Sequence, residues 1–308
     1  NPIEFKEFKD TDKNHEKKLS DVLNSTFKSL LLNYSDWALT LSGGYDSRGI
    51  LCLVFNSKSK TERIKSITWG LESSLTIADN DAYIAQKLAS EFNLVHNYLH
   101  TDLSFEPVEQ IINRFLLNSE GRTDQLSGYM EGFKIWKTLF EEGFHGIIRG
   151  DEGFGCNQYS SVKIARMNQG CALYSDYSNL KDFRKFGLPI QELPPHLEQK
   201  AHESLSAYRD RLFHEHDLPT NFSALSDLKL SYVEVINPFL SRKILQQVRQ
   251  LPDHLRTGKA LFKKIVLALS PNIDFANSRA DSSPENILTQ KQFVELLTIE
   301  LSSKSAKS

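Results

Sequence analysis

One hexapeptide constrains this chain more than any other segment. Ser42-Gly43-Gly44-Tyr45-Asp46-Ser47 follows the apolar run Trp37-Ala38-Leu39-Thr40-Leu41 and precedes the strongly apolar residues 50–55. A five-residue run ending in glycines is strand-length, and the apolar segment beyond it suits a buried helix. Two glycines let the backbone turn tightly and approach a ligand closely. The order strand, glycine turn, buried helix predicts a chain that climbs to the edge of a sheet and returns beneath a site.

The same alternation continues. Residues 15–32 carry Leu19, Val22, Leu23, Phe27, Leu30 and Leu31 at helical spacing. Residues 63–69 read as a second strand ending at Gly70, residues 79–92 as a helix with Ala82, Ala85, Leu88, Ala89 and Phe92 on one face, and residues 94–99 as a third strand. Helical patterns follow at 107–117 and 128–140, then Gly146-Ile147-Ile148-Arg149 as a fourth strand running into Gly150-Asp151-Glu152-Gly153. Strands alternating with helices predict an α/β fold with a doubly wound parallel sheet. Ligands on such sheets bind beyond the carboxyl ends of the strands, where both glycine-acid clusters are expected. Beyond residue 159 strand signals fade and helical patterns appear at 225–235, 241–251 and 258–269. The expected organisation is an α/β core over 1–160 and a mostly helical part over 161–308 completing the same site. The proline-rich stretch 187–195 reads as a loop and the polar end 302–308 as frayed.

Composition narrows the function classes. The 308 residues are 40% hydrophobic and 25% charged with a net charge of −2, an ordinary globular balance with no basic excess for nucleic acid. The three cysteines, Cys52, Cys156 and Cys171, are far apart and form no C-x-x-C pair, which suits a reducing, cytoplasmic setting. No apolar run approaches the ~20 residues of a membrane span, so neither a membrane nor a nucleic-acid partner is expected.

The chemistry of the first loop is specific. Successive amides at a helix N-terminus make an anion site, and Ser42 and Ser47 add hydroxyls. Asp46 would repel phosphate unless a divalent cation bridges the two. The loop is neither G-x-x-x-x-G-K-[ST] nor G-x-G-x-x-G. Arg48 either helps at the loop or pairs with an acid. His214-Glu215-His216-Asp217 reads as a solvated turn in preference to a metal site, and Tyr129, Phe133, Trp136 and Phe140 read as core.

Ser-Gly-Gly-x-Asp-Ser resembles the pyrophosphate-binding motif of the ATP-pyrophosphatase (PP-loop) superfamily. Within it, the chain resembles the synthetase domain of asparagine synthetase and its relatives, β-lactam synthetase and lasso-peptide cyclases among them. The narrower resemblance rests on four further segments: Ile67-Thr68-Trp69-Gly70 with Asp79-Asn80-Asp81 and His96; Arg149-Gly150-Asp151-Glu152-Gly153-Phe154-Gly155; Tyr232-Val233-Glu234-Val235-Ile236-Asn237-Pro238-Phe239-Leu240; and Leu251-Pro252 with Leu255-Arg256-Thr257-Gly258-Lys259 and Lys263.

The resemblance implies a set of roles. Ser42, Gly43, Gly44 and Ser47 would hold the β- and γ-phosphates of ATP, with Gly150 and Lys263 nearby and Trp69 and Gly70 beside adenine. Asp46 and Asp151 would hold Mg²⁺. Lys259 would stabilise charge on the α-phosphate, and Glu152 and Glu234 are further catalytic candidates. The implied activity is adenylation of a substrate carboxylate with release of pyrophosphate, then transfer of the acyl group to ammonia or another amine. A small-molecule carboxylate and an amine are the expected partners, with a glutaminase domain or subunit as a source of ammonia. The alternative is a non-catalytic nucleotide-binding relative acting as scaffold or regulator.

Overall fold

In the computed structural model, residues 3–57, 63–101, 104, 106–169 and 194–302 are described. Cys171, residues 187–193 of the proline-rich stretch and the tail beyond 302 lie outside them. Five strands, β1 (Trp37–Thr40), β2 (Lys65–Gly70), β3 (Val95–His100), β4 (Gly146–Ile148) and β5 (Glu234–Ile236), form one sheet in the order β3-β2-β1-β4-β5. Every pairing is parallel, with Ala38 opposite Lys65, Trp37 opposite Gly146, Lys65 opposite Val95 and Gly146 opposite Glu234. The architecture is the expected α/β one.

Helices cover both faces because the central strands are apolar on both sides. Successive strand residues point to opposite faces. Thus Leu39 and Ile148 enter one core with Leu19, Leu23, Phe27, Ile50, Leu51, Val54, Phe262 and Val266. Ala38 and Ile147 enter the other with Ile111, Phe115, Phe133, Trp136, Leu139 and Leu228. The first core joins α1 (Asp12–Lys28), α2 (Tyr45–Ser57), α3 (Asp81–Glu91), α9 (Arg242–Val248) and α11 (Ala260–Leu269). The second joins α4 (Val108–Ser119), α5 (Lys134–Glu141) and α8 (Ser223–Leu230). Between them come α6 (Val162–Asn168) and α7 (Leu205–Leu212), with α10 (Asp253–Arg256), α12 (Pro284–Leu288) and α13 (Lys291–Ser302) later in the chain.

Four sequence expectations need correction. Residues 128–140 are not one helix: a 3₁₀ turn spans Leu126–Tyr129, Gly132 and Phe133 follow at positive φ, and α5 starts afterwards. Phe140 is 61% exposed, so only Tyr129, Phe133 and Trp136 of that aromatic set are core. Residues 225–235 contain a helix that stops at Leu230 and then the edge strand β5. Its apolar period runs on into Val233 and Val235, so only non-local pairing with β4 reveals the change. Finally, residues 213–222 form a wide helical turn in which His214 is buried. His214 Nε2 lies 2.9 Å from the Gly153 carbonyl and Nδ1 accepts from Arg249 Nε at 3.2 Å. Burial first, then the Arg249 charge, lowers its pKa to about 3, so the ring is neutral and donates through Nε2.

Candidate functional site

The strand order reverses between β1 and β4. The loops leaving them diverge there and open a crevice at their carboxyl ends. A cavity of about 310 Å³ fills it, lined by Ser42, Asp46, Ser47, Trp69, Gly150 and Asp151, with Asp81, Arg149, Arg279 and Asp281 at its edges. Two hexapeptide-scale motifs separated by a hundred residues thus meet because their strands are neighbours.

Close packing fixes the loops. A Cβ on Gly43 would lie 2.3 Å from Ala276 Cβ, and one on Gly150 would lie 3.0 Å from the Asp46 carbonyl carbon and 3.1 Å from Ser47 N. Glycine at 150 lets the β4 loop lie against the backbone of the β1 loop without displacing it. The loop amides are engaged within the protein: Ser42 N donates to Ser47 Oγ at 3.0 Å, Gly43 N to Asp81 Oδ1 at 3.0 Å and Gly44 N to Ser42 Oγ at 3.2 Å. These bonds shape the turn. An anion would be met by the first turn of α2, whose N–H groups have no partner within the helix.

Lys259 reaches this crevice from the far end of the chain. Its Nζ lies 2.8 Å from Asp46 Oδ2, 3.0 Å from Asp46 Oδ1 and 2.8 Å from Glu152 Oε1. Its backbone is left-handed, φ 61°, next to Gly258 at φ 63°, a conformation that costs a non-glycine residue about 1 kcal/mol or more. Packing maintains it. Phe262, one turn on, stacks on Phe154 at 3.9 Å, and both meet Phe239 at 5.1 Å. The side chains of Phe154, Phe239 and Phe262 are at most 2% exposed, and each such ring contributes about 1.5–3 kcal/mol by burial. This cluster joins the β4 loop, the end of β5 and α11 under Lys259.

The charges answer one another. Burial works to lower the Lys259 pKa, but the carboxylates of Glu152 and Asp46 outweigh it and raise the pKa above the ordinary ammonium range. Burial raises that of Glu152, against the pull of Lys259. Asp151 accepts two bonds from Arg149, each 3.1 Å, and although burial pushes its carboxyl up, Arg149 holds it below the usual value.

Asp46 and Asp151 line one cavity, and no cluster of three or more His, Cys, Asp or Glu suited to a metal occurs among the described residues. Asp46 and Asp151 offer hard oxygen atoms, the ligand type Mg²⁺ takes beside phosphates and water. Each carboxylate already has a resident cation, Lys259 on Asp46 and Arg149 on Asp151.

Other expected site residues fall at or beyond the rim. Gly70 packs on Ala280 and Tyr98, where a Cβ would approach both to 2.5 Å. Lys263 lies over the Tyr45 ring, 5.4 Å from its centroid. Glu234 is not brought to the crevice: it stands at the amino end of β5, 63% exposed, 3.6 Å from His145.

Sequence reasoning missed a strap over residues 273–281. Ala276 N bonds to Gly43 O at 3.1 Å, Asp81 N to Ser278 O at 3.0 Å and Leu71 N to Ala280 O at 2.9 Å. Arg48, fully buried, anchors it by donating to the carbonyls of Ile273 and Asp274 at 2.6 Å each, with Phe275 stacked on Tyr45. The strap delivers Arg279 and Asp281. It has no hydrophobic period, and Arg48, expected to help at the loop or pair with an acid, donates to its carbonyls instead.

No helix among the described residues is long and apolar enough to cross a membrane. No protein-family model and no curated protein sequence matches the chain. Among solved structures, it is similar to the U34-tRNA thiolase NcsA from Methanococcus maripaludis with its [4Fe-4S] cluster, at 15% identity and a TM-score of 0.34, over 83% of this chain and 78% of that one.

Proposed function

We propose that this chain is an ATP-pyrophosphatase-type ligase, similar to the synthetase domain of asparagine synthetase, that adenylates a carboxylate and passes the acyl group to an amine. One observation carries the reading: Lys259 meets Glu152 and Asp46, and Asp46 itself lines the crevice where the Ser-Gly-Gly-Tyr-Asp-Ser turn and the Gly150 loop converge. A lysine held against two acids, one of which lines the cavity, is a cation that can be handed to a new anionic partner.

In this reading the first turn of α2 and the Ser42 and Ser47 hydroxyls bind the β- and γ-phosphates, and Asp46 and Asp151 hold Mg²⁺. The metal supplies charge neutralisation. Lys259 stabilises negative charge growing on the α-phosphate while a carboxylate oxygen of the substrate bonds to phosphorus and pyrophosphate departs. The amine then bonds to the acyl carbon and AMP leaves with the bridging oxygen. Trp69 closes the side of the crevice toward the adenine. The chain's own contribution is orientation and fixed charge.

The pairing of Asp46 and Asp151 with resident cations also suits a nucleotide-binding scaffold without turnover. Pyrophosphate release from ATP and Mg²⁺ across a panel of carboxylates, with and without ammonia, separates the two. The ligase reading expects acid-dependent release that disappears in Asp46→Ala. ATP binding with no release for any acid would support the scaffold.

A further inference from the structure

Residues 3–8 run along the turn between α9 and α10, and the ligase reading gives them no task. Lys6 N donates to the Arg249 carbonyl at 3.0 Å and Phe8 N to the Gln250 carbonyl at 2.9 Å. Ile3 N donates to Glu215 Oε1 and Asp253 N to Glu7 Oε1, both at 3.1 Å. These bonds bring the half-buried ring of Phe5 against two groups at once. It meets His214 edge-on at 5.0 Å, and the Arg256 guanidinium lies 4.7 Å from its centroid.

Both groups lead to Lys259, by separate routes. His214 Nε2 donates to the carbonyl of Gly153, whose neighbour Glu152 holds Lys259 Nζ at 2.8 Å. Arg256 donates to Asp210, Asp210 accepts from the Cys156 amide, and the Cys156 carbonyl accepts from Gly258 N, next to Lys259. One ring thus braces both members of the Glu152–Lys259 pair. A guanidinium is drawn to the face of an aromatic ring, most strongly where water is excluded, and Arg256 is buried. The brace is nonetheless lightly held. Glu4, Lys6, Glu7 and Phe8 are exposed, and a cavity of about 410 Å³ lies between residues 3–7 and a wall that includes Lys200, Glu203, Asp253 and Arg256. A segment with few buried side chains opens more readily than the core.

We propose that residues 3–8 are a detachable strap and that Phe5 is a positioning residue, which keeps Glu152 and Lys259 in register through His214 and Arg256. Lys259 needs such support because its left-handed backbone is unfavourable for a non-glycine residue. With the strap open, the pair loosens while the Ser42–Ser47 turn, which the strap does not touch, keeps its shape. The consequence for turnover rests on the ligase reading; the bracing itself does not.

Hydrogen–deuterium exchange of the full chain, without nucleotide, reads the bracing through the amides of Phe154, Cys156 and Gly258, which bond to Glu152 Oε2, Asp210 Oδ1 and the Cys156 carbonyl. Phe5→Leu keeps an apolar side chain and removes the aromatic face; Phe5→Tyr keeps the ring. In Phe5→Leu, exchange at these amides should rise roughly 2- to 30-fold, the range such a cation–ring contact spans, with β1 and β4 unchanged. Phe5→Tyr should match wild type. Where a carboxylate drives pyrophosphate release, kcat should fall in Phe5→Leu with KM for ATP unchanged. Site amides as slow in Phe5→Leu as in wild type, or a rise shared equally by β1 and β4, would overturn the proposal. Loosened site amides with no release by wild type for any acid would leave the strap standing and remove the ligase. Release at wild-type kcat in Phe5→Leu, with site exchange unchanged, would do the reverse.

Discussion

Behind Lys259 lies a buried charge network whose loss should be costly. Arg209, Asp210 and Arg256 are each 1% exposed. Asp210 accepts from Arg209 Nε at 2.9 Å, Arg209 Nη2 at 3.2 Å, Arg256 Nη1 at 2.6 Å and the Cys156 amide at 3.1 Å. Asp210→Asn keeps the shape, but removes the one buried anion between two buried cations and turns an amide group toward a guanidinium. Breaking a buried pair from one side costs about 3–5 kcal/mol. Asp253, 35% exposed, also meets Arg256 and compensates in part, so the lower end, about 3 kcal/mol, is expected. That is a large share of a typical domain stability of about 5–15 kcal/mol. Urea unfolding at pH 7 reads it as a lower midpoint with an unchanged slope. The same network carries the Cys156 carbonyl that accepts from Gly258 N at 2.9 Å, one residue before Lys259, so turnover should fall as well. A loss of under about 1 kcal/mol would refute the argument that Asp210 neutralises both arginines.

Three further outcomes are expected. Gly150→Ala places a methyl 3.0 Å from the Asp46 carbonyl carbon and cannot be absorbed by a side-chain rotation, so stability should drop by about 1–3 kcal/mol and fluorescent-nucleotide affinity should fall. Lys259→Ala leaves Glu152 buried beside Asp46 without a cation; steady-state kinetics should show about 10²–10³-fold slower turnover with ATP affinity within a few-fold. For Glu131, the folded carboxyl titrates near 7 against an ordinary 4.5, so the folded chain keeps a proton that the unfolded chain releases. Its contribution is present below about pH 4.5 and is lost as pH rises through 7. Glu131→Gln should gain on wild type by roughly 2–3 kcal/mol between pH 4.5 and pH 8 in chemical denaturation.

The sheet and its crevice were legible because local patterns carry them. The strands β1 and β4 are short apolar runs, and the turns that end them contain glycine and acid together. Asp46, Glu152 and Lys259 were named from the residues and the resemblance, and the fold brings those three together. What was hidden depends on long-range pairing. The edge strand β5 is three residues following a helix whose apolar spacing simply continues, so Glu234 could not be assigned to the amino end of a strand. The strap of residues 273–281 is held by backbone bonds to Gly43, Asp81 and Leu71, which leave no trace in side-chain periodicity.

The central claim, that a carboxylate oxygen bonds to the α-phosphorus at the Lys259 centre, has a direct isotopic test. A carboxylate that drives pyrophosphate release is labelled with ¹⁸O in both oxygens and turned over with ATP, Mg²⁺ and an amine, and the AMP is read by mass spectrometry. The account predicts one ¹⁸O in each AMP formed, and no labelled AMP from Lys259→Ala beyond its residual rate. Turnover that yields unlabelled AMP, or ADP and phosphate, would contradict it.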